Sequence, residues 1–245
     1  MKKARTNQAE HKPSADCFSC QWRDRSQWCV LTHDELHQLS DAKTDHSYQS
    51  GQVLFNQGDA FTGLYCVIQG TVALRRTDSR GNTLLVRLCH PGDTIGYRDY
   101  FTGSDFSVSA EVVSQATLCF VHRSAFRELL HANPALSSEL TRRLAFDADS
   151  SEEALLHGAT LPVRSRMAHL LLALKDRYAT VGSNGNLRLT LPLSRQDIAD
   201  LLGTRPETVA RVIHALEEDG VTRFSGRTVV IPDLDLLLDE VEPGE

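Results

Sequence analysis

The chain has 245 residues, 41% of them hydrophobic and 24% charged, with a formal net charge of −6. That length is enough for two domains, each with its own core, and the acidic balance excludes a uniformly basic nucleic-acid coat protein. No apolar run approaches about 18 residues and the start, MKKARTNQAEHKPSAD, has no hydrophobic export core, so a cytoplasmic chain with no membrane partner is expected. In that compartment the six cysteines are read as ligands, sensors or core residues rather than disulfides.

Residues 1–32 read as a polar, cysteine-bearing segment. Cys17, Cys20 and Cys29 form a C-x2-C-x8-C array. A C-x2-C spacing lets one tight turn aim two thiolates at the same centre, and soft thiolates suit zinc, Cu(I) or an iron–sulfur cluster. Only three ligands are local, so a fourth must come from elsewhere in the fold. Trp22 and Trp28 flank the array, either shielding it from water or packing the segment down. His33 and His37, one helical turn apart, are expected on a solvated helix face.

Residues 33–132 are expected to form a β-roll sensor domain. The segments VLF, LYCVI, VALRR, LLVRL and VSAEVV are separated by Gly58, Gly70, Gly81, Gly92 and Gly103, at spacings of 11 or 12 residues. Turn punctuation that regular predicts an antiparallel jelly roll. From Ala116 to Val121, Leu118 and Phe120 point one way and Cys119 the other. With the leucine and phenylalanine inside, Cys119 faces out, where the amino-terminal loop can reach it. It is the expected fourth ligand, with Cys89, at a strand end, in reserve. Cys66 shares its face with Leu64 and Ile68 and is expected in the core.

Asn133-Pro134 opens a long helix, assigned to residues 133–160 as a dimerisation element. Leu140, Leu144, Ala148, Ser151 and Leu155 make a stripe suited to pairing with a copy of itself. Asp147, Asp149, Glu152 and Glu153 lie near that stripe, so two copies would bring like charges together. Gly158 and Pro162 are expected to break the helix before the last domain, 161–245.

Leu193 to Ile231 reads as a winged helix-turn-helix. Ser194 and Asp197 start one helix and Gly203 closes it; Thr204 and Glu207 repeat the capping pattern for a second, ended by Gly220. At 100° per residue, Val209, Val212, Ile213 and Leu216 share one face of the second helix. Glu207, Arg211 and His214 share the other, free to enter a major groove. Arg bridges guanine O6 and N7 while Glu accepts from cytosine N4, which suits a G·C-containing half-site. Thr222 to Ile231 alternates around Ser225-Gly226 as a two-stranded wing carrying Arg227. Between Thr160 and Ile231, ten Arg and Lys outnumber seven acids, the sign that phosphate contact needs.

The stretch RPETVAR, Arg205 to Arg211, resembles the recognition helix of the CRP/FNR superfamily of bacterial transcription factors. The likeness runs from Cys17 to about Asp233. It implies an α+β chain: an N-terminal β-roll like cyclic-nucleotide-binding domains, a long dimerisation helix and a C-terminal winged helix-turn-helix. It also implies a homodimer on double-stranded DNA with an inverted-repeat operator, working with RNA polymerase. Arg205, Glu207, Thr208, Ala210, Arg211, His214 and Arg227 are the DNA-binding candidates, Glu207 and Arg211 the base-reading pair. Ala210 stands where CRP-type members have Gly and FNR-type members Ser, which leaves the operator sequence open. The strand SQATLCFV resembles the FNR strand carrying the fourth ligand, so Cys17, Cys20, Cys29 and Cys119 match the four [4Fe–4S] ligands, with a second gap of eight residues where FNR has five.

The same resemblance raises cyclic-nucleotide binding, and the residues argue against it. Tyr97 stands at the family's ribose-binding Glu, Phe106-Ser107 stands near its Arg-Ser pair, and Arg98 is one place out of register. No motif gives catalysis a setting. The expectation is a regulator sensing oxygen or redox state through an iron–sulfur cluster. The alternatives are a CRP-like regulator of another small ligand and a zinc or thiol redox switch.

Overall fold

The computed structural model describes residues 16–182 and 185–241. Readings that fall on residues 1–15, the export segment among them, lie outside the described residues. The chain divides into two compact units, Met1–Asp147 and Ala148–Glu245, and the division falls inside one long helix.

In the first unit two 3-10 turns, Arg23–Arg25 and Gln27–Val30, lead into α1, His33–Ala42. Thr32 and Glu35 satisfy the first free N–H groups of α1 as a reciprocal capping box. The roll follows as β1 (Lys43–Tyr48), β2 (Val53–Phe55), β3 (Gly63–Thr77), β4 (Thr83–Cys89), β5 (Thr94–Ile95) and β6 (Ser109–His122). Helix α2, Tyr97–Thr102, lies between β5 and β6, and α3, Arg123–Ala132, follows β6. The sheet runs β1-β6-β3-β4, with β2 also on β6 and β5 on β3, all antiparallel. Leu64, Leu118, Phe126, Leu129, Leu136 and Leu140 are wholly buried at its centre.

Gly70 departs from the expected turn. It lies inside β3, at φ +85°, where the register with β6 shifts. A Cβ there would stand 2.2 Å from the Gln115 carbonyl oxygen. Glycine spacing marks both turns and bulges, and only the strand pairing separates the two.

Helix α4, Pro134–Thr160, is capped by the Asn133 side-chain oxygen, which accepts from the amides of Ala135 and Leu136. Its early leucines are buried, whereas Phe146, Leu155 and Leu156 are 66%, 75% and 59% exposed. Gly158 does not break it. The helix runs through that residue and yields only before Pro162, which is the N-cap of α5, Val163–Tyr178. A single glycine costs a helix about 1 kcal/mol, less than an obligatory break.

The second unit continues with β7 (Ala179–Val181), β8 (Leu187–Thr190), α6 (Arg195–Leu201), α7 (Pro206–Glu218), β9 (Arg223–Ser225), β10 (Thr228–Ile231) and α8 (Leu234–Asp239). Its sheet has four strands, β7-β8-β10-β9: β9 and β10 are the expected wing, and β7 and β8 extend it. These two unexpected strands have only three and four residues, too short a run to announce themselves by period. Arg164 ties α5 to both Glu240 and Asp219, at 2.5 and 2.6 Å.

Candidate cysteine site and nucleic-acid interface

Residues 16–31 carry little regular structure, and specific side chains pin them to the roll. The Trp22 indole N–H donates to the Ile68 carbonyl at 2.9 Å. Gln27, fully buried, pairs twice with Thr94, at 2.7 and 3.0 Å. Trp28 stands edge-on to Phe126 and donates to Cys66 Sγ at 3.3 Å. Two contacts reach α4 and its cap. Arg143 donates to the Arg25 carbonyl at 2.8 Å, and Asn133 donates to the Val30 carbonyl at 3.1 Å.

Beneath this segment lies a partly open cavity of about 40 Å³, lined by Cys17, Cys20, Cys66 and Cys119 with Trp28 and Lys43. It has room for a few water molecules. Cys119 is buried under the segment rather than exposed on the roll surface. Cys66 and Cys119 are directly opposed on β3 and β6. Cys29 is exposed and is not among the cavity's lining residues. Cys89 is buried elsewhere, beside Arg87. Cys66, read as core from its strand face, is buried and also lines this cavity; the register that sets it against Cys119 has no sequence signature.

Among the described residues no three His, Cys, Asp or Glu side chains are grouped so as to hold a single metal ion. His33 and His37 instead pack with Phe18, at centroid distances of 4.9 and 4.5 Å. The donor set suits a thiolate-bound centre in kind, and Cys17, Cys20 and Cys119 border one cavity, whereas Cys29 would have to turn inward to join them. Burial pushes Cys17, Cys66 and Cys119 above the ordinary thiol range, Cys66 to about 11. A metal ligand must be a thiolate, so ligation here displaces protons. Arg23 and Lys43 are the cations that line the cavity, and Lys43 is the buried one. Burial opposes its charge, but Asp45, at 2.7 Å, and the neighbouring thiols outweigh that and raise its pKa.

Where the family resemblance raised a cyclic nucleotide, this roll is filled by its own groups. Phe106 stacks on Phe55 at 3.7 Å between centroids and packs against Phe61. The Tyr97 hydroxyl donates to the Asp147 carboxylate, which also takes Arg87 at 2.7 Å and Arg98 at 3.0 Å. Arg98 is therefore engaged with α4. Asp147, expected among the repelling acids of that helix, is neutralised by its own roll. Burial disfavours its charge, yet the tyrosine and the two guanidiniums hold its pKa below the usual carboxylate range.

In the second unit Ser194 and Asp197 form the expected capping box on α6. The start of α7 differs from expectation: Arg205 is the N-cap, Pro206 is the first residue, and Thr204 does not cap it. Proline suits the first helical position because its missing N–H would be unsatisfied there anyway. Glu207 is thereby released from capping and stands exposed. Val209, Ile213 and Leu216 are buried, Val212 and Thr208 half-buried, and Arg205, Ala210, Arg211 and His214 exposed. Arg211 is steadied by Thr208 Oγ1 at 3.2 Å and His214 lies 3.4 Å from Glu218. Arg227 is exposed in the turn between β9 and β10. Arg195, not singled out from the sequence, lies 4.8 Å over the Phe224 ring and braces this wing on α6.

Residues 165–240 match the Crp-like helix-turn-helix domain, and residues 45–133 match the cyclic nucleotide-binding domain. The chain is 31% identical over 228 residues to the transcriptional activator protein FnrL of Cereibacter sphaeroides, covering 91% of each. It is 28% identical to the anaerobic regulatory protein of Haemophilus influenzae, over 90% of this chain and 86% of that one. The structure of FixK2 from Bradyrhizobium japonicum superposes with a TM-score of 0.71 at 25% identity, covering 83% of this chain and 99% of that one.

Proposed function

Because the chain belongs to the CRP/FNR family of transcription regulators, we propose that it senses oxygen or redox state through a [4Fe–4S] cluster held by Cys17, Cys20, Cys29 and Cys119. In this reading cluster binding controls dimerisation, and the homodimer reads an inverted-repeat operator and engages RNA polymerase. The observation that carries it is the convergence of Cys17, Cys20 and Cys119 on one cavity. These come from both ends of the first unit's sequence, and two of them sit in a segment anchored to α4. The relatives' names, an anaerobic regulator among them, agree with the reading. When bound, such a cluster supplies an oxygen-labile redox centre.

The chain's own residues do the rest. Cys17, Cys20 and Cys119 offer soft donors in a water-poor setting, walled by Trp22 and Trp28, with Lys43 as the buried cation. Bringing Cys29 inward pulls on residues 25–30, whose carbonyls at Arg25 and Val30 hang on Arg143 and Asn133. Ligation therefore reaches α4 through two hydrogen bonds. Arg205, Glu207, Thr208, Ala210, Arg211 and His214 supply the groove-facing surface, and Arg227 reaches the backbone. The cyclic-nucleotide alternative draws on the domain match; against it stand the residues read from the sequence, with Phe106 stacked on Phe55 and Tyr97 and Arg98 engaged by Asp147.

The test is anaerobic reconstitution of the whole protein with iron and sulfide. A brown protein with broad visible absorption that bleaches in air is expected, and Ser at Cys17, Cys20, Cys29 or Cys119 abolishes it. A colourless protein carrying zinc overturns the cluster reading in favour of a zinc or thiol switch. Full iron and sulfide in Cys119→Ser overturns the ligand assignment.

A further inference from the structure

Cys66 has no place in the ligand set above, yet it lines the same cavity as Cys119 and lies directly across from it in the sheet. We propose that Cys66 and Cys119 form a reversible disulfide in the cluster-free protein when a small hydroperoxide enters the cavity, a covalent lock that withholds Cys119 from metal. Its consequence for iron uptake rests on the cluster reading; the bond itself does not.

The backbone sets the geometry. Val67 exchanges hydrogen bonds with Gly92 and Asp93, on the β5 side of β3. Alternation then turns the N–H and C=O of Cys66 toward β6, which makes Cys66 and Cys119 a hydrogen-bonded pair, with Cα atoms about 5.5 Å apart. That lies inside the range a disulfide spans. Directly opposed residues project from the same face of the sheet, and both thiols border the same space. The cavity is partly open, and bridges that a thiol can reach are the readily reduced, regulatory kind. Entry is limited by size: a space of about 40 Å³, room for a few waters, accepts hydrogen peroxide or another small hydroperoxide.

The chemistry balances with the peroxide as the oxidant. Cys66 sulfur attacks the O–O bond, releasing an alcohol, or water from hydrogen peroxide, and becomes a sulfenic acid. Cys119 sulfur then attacks that sulfur and expels water, and the two thiol hydrogens leave in the products. The pair is oxidised by two electrons and the peroxide is reduced by two. Trp28 and Thr94 hold Cys66 Sγ in place at 3.3 and 3.7 Å.

The test uses the full chain without metal, exposed to hydrogen peroxide, then denatured, alkylated and mapped by peptide mass. The expected product joins the Cys66 and Cys119 peptides, lighter by two hydrogens, and reverts with a thiol reductant. Separate alkylation of both residues overturns the proposal, as does a bridge from Cys119 to Cys17 or Cys20 instead. In parallel, peroxide-treated parent protein is expected to lose most of its iron uptake until reduced, whereas Cys66→Ala retains it. Equal loss in both proteins also overturns the lock. If untreated parent protein takes up no cluster, the cluster reading fails while the peptide map still decides this proposal.

Discussion

Arg211 projects from α7 opposite the Val209–Ile213–Leu216 stripe, with no acid paired to it in the described contacts and Thr208 steadying its guanidinium. A side chain so placed can present its fork to a guanine edge, whereas Arg227, at the tip of the wing, meets the phosphate backbone. Arg211→Ala is expected to cost about 1–3 kcal/mol on operator DNA and to relax specificity at one base pair per half-site. Arg227→Ala is expected to weaken all sequences alike and to lower the salt dependence of binding. Fluorescence anisotropy on operator and scrambled duplexes across a salt series separates them. Equal weakening of both duplexes by Arg211→Ala would place Arg211 on the backbone. The polar face of α7 was legible from its 3.6-residue period alone. The fate of Glu207 was not, because a capping acid and a base reader look alike until the helix start is seen to be Pro206.

At the scale of elements, Asp147 fastens α4 to β4 and α2 through Arg87, Tyr97 and Arg98. Its folded pKa lies below that of an unfolded aspartate, so the contact stabilises fully above about pH 4 and is lost as pH falls through the folded value. Asp147→Asn, which keeps the shape and drops the charge, is expected to lose about 1.5–3 kcal/mol at neutral pH, the range for hydrogen bonds to a charged group. Its deficit should hold down to about pH 4 and shrink as the pH falls further through the folded value, where the parent aspartate becomes neutral too. Thermal melts across that range measure it, and a deficit independent of pH would show that the carboxylate charge is not what fastens the helix. This contact explains what the sequence could and could not reveal. Strand alternation and glycine spacing exposed the roll, and the Leu140–Leu155 stripe exposed α4. Long-range pairings such as Asp147 with Arg87, or Cys66 with Cys119, carry no local period and depend on register. Hence Gly70 read as a turn, Asp147 as a repelling acid, and Cys66 as plain core.

Over the whole molecule, the proposed function makes α4 the element on which both DNA reading and sensing depend. Two recognition helices need a two-fold axis that sets half-sites about 34 Å apart, and the family's members act as homodimers. The outward groups of α4 are Phe146, Leu155 and Leu156, interleaved with exposed Asp149, Glu152 and Glu153. Burying those apolar groups against a second copy favours the dimer, while each close carboxylate pair opposes it by a few tenths of a kcal/mol. With Asp147 neutralised by the roll, the remaining three acids per helix carry the repulsion. The balance is then small enough for a pull transmitted through Arg143 and Asn133 to decide it. Repulsion between exposed charges is screened as the Debye length falls from about 10 Å at 0.1 M salt to about 3 Å at 1 M. Sedimentation without DNA is therefore expected to show the cluster-free protein shifting from monomer toward dimer as salt rises, and the cluster-loaded protein dimeric throughout. Leu155→Glu is expected to keep both forms monomeric and to reduce operator binding at least tenfold while leaving the melting profile of the roll intact. A dimer fraction that falls with salt would mean that attraction between charges, not apolar contact against repulsion, holds the helices together. Equal dimer fractions with and without the cluster would move the switch away from assembly and onto the orientation of the DNA-binding helices.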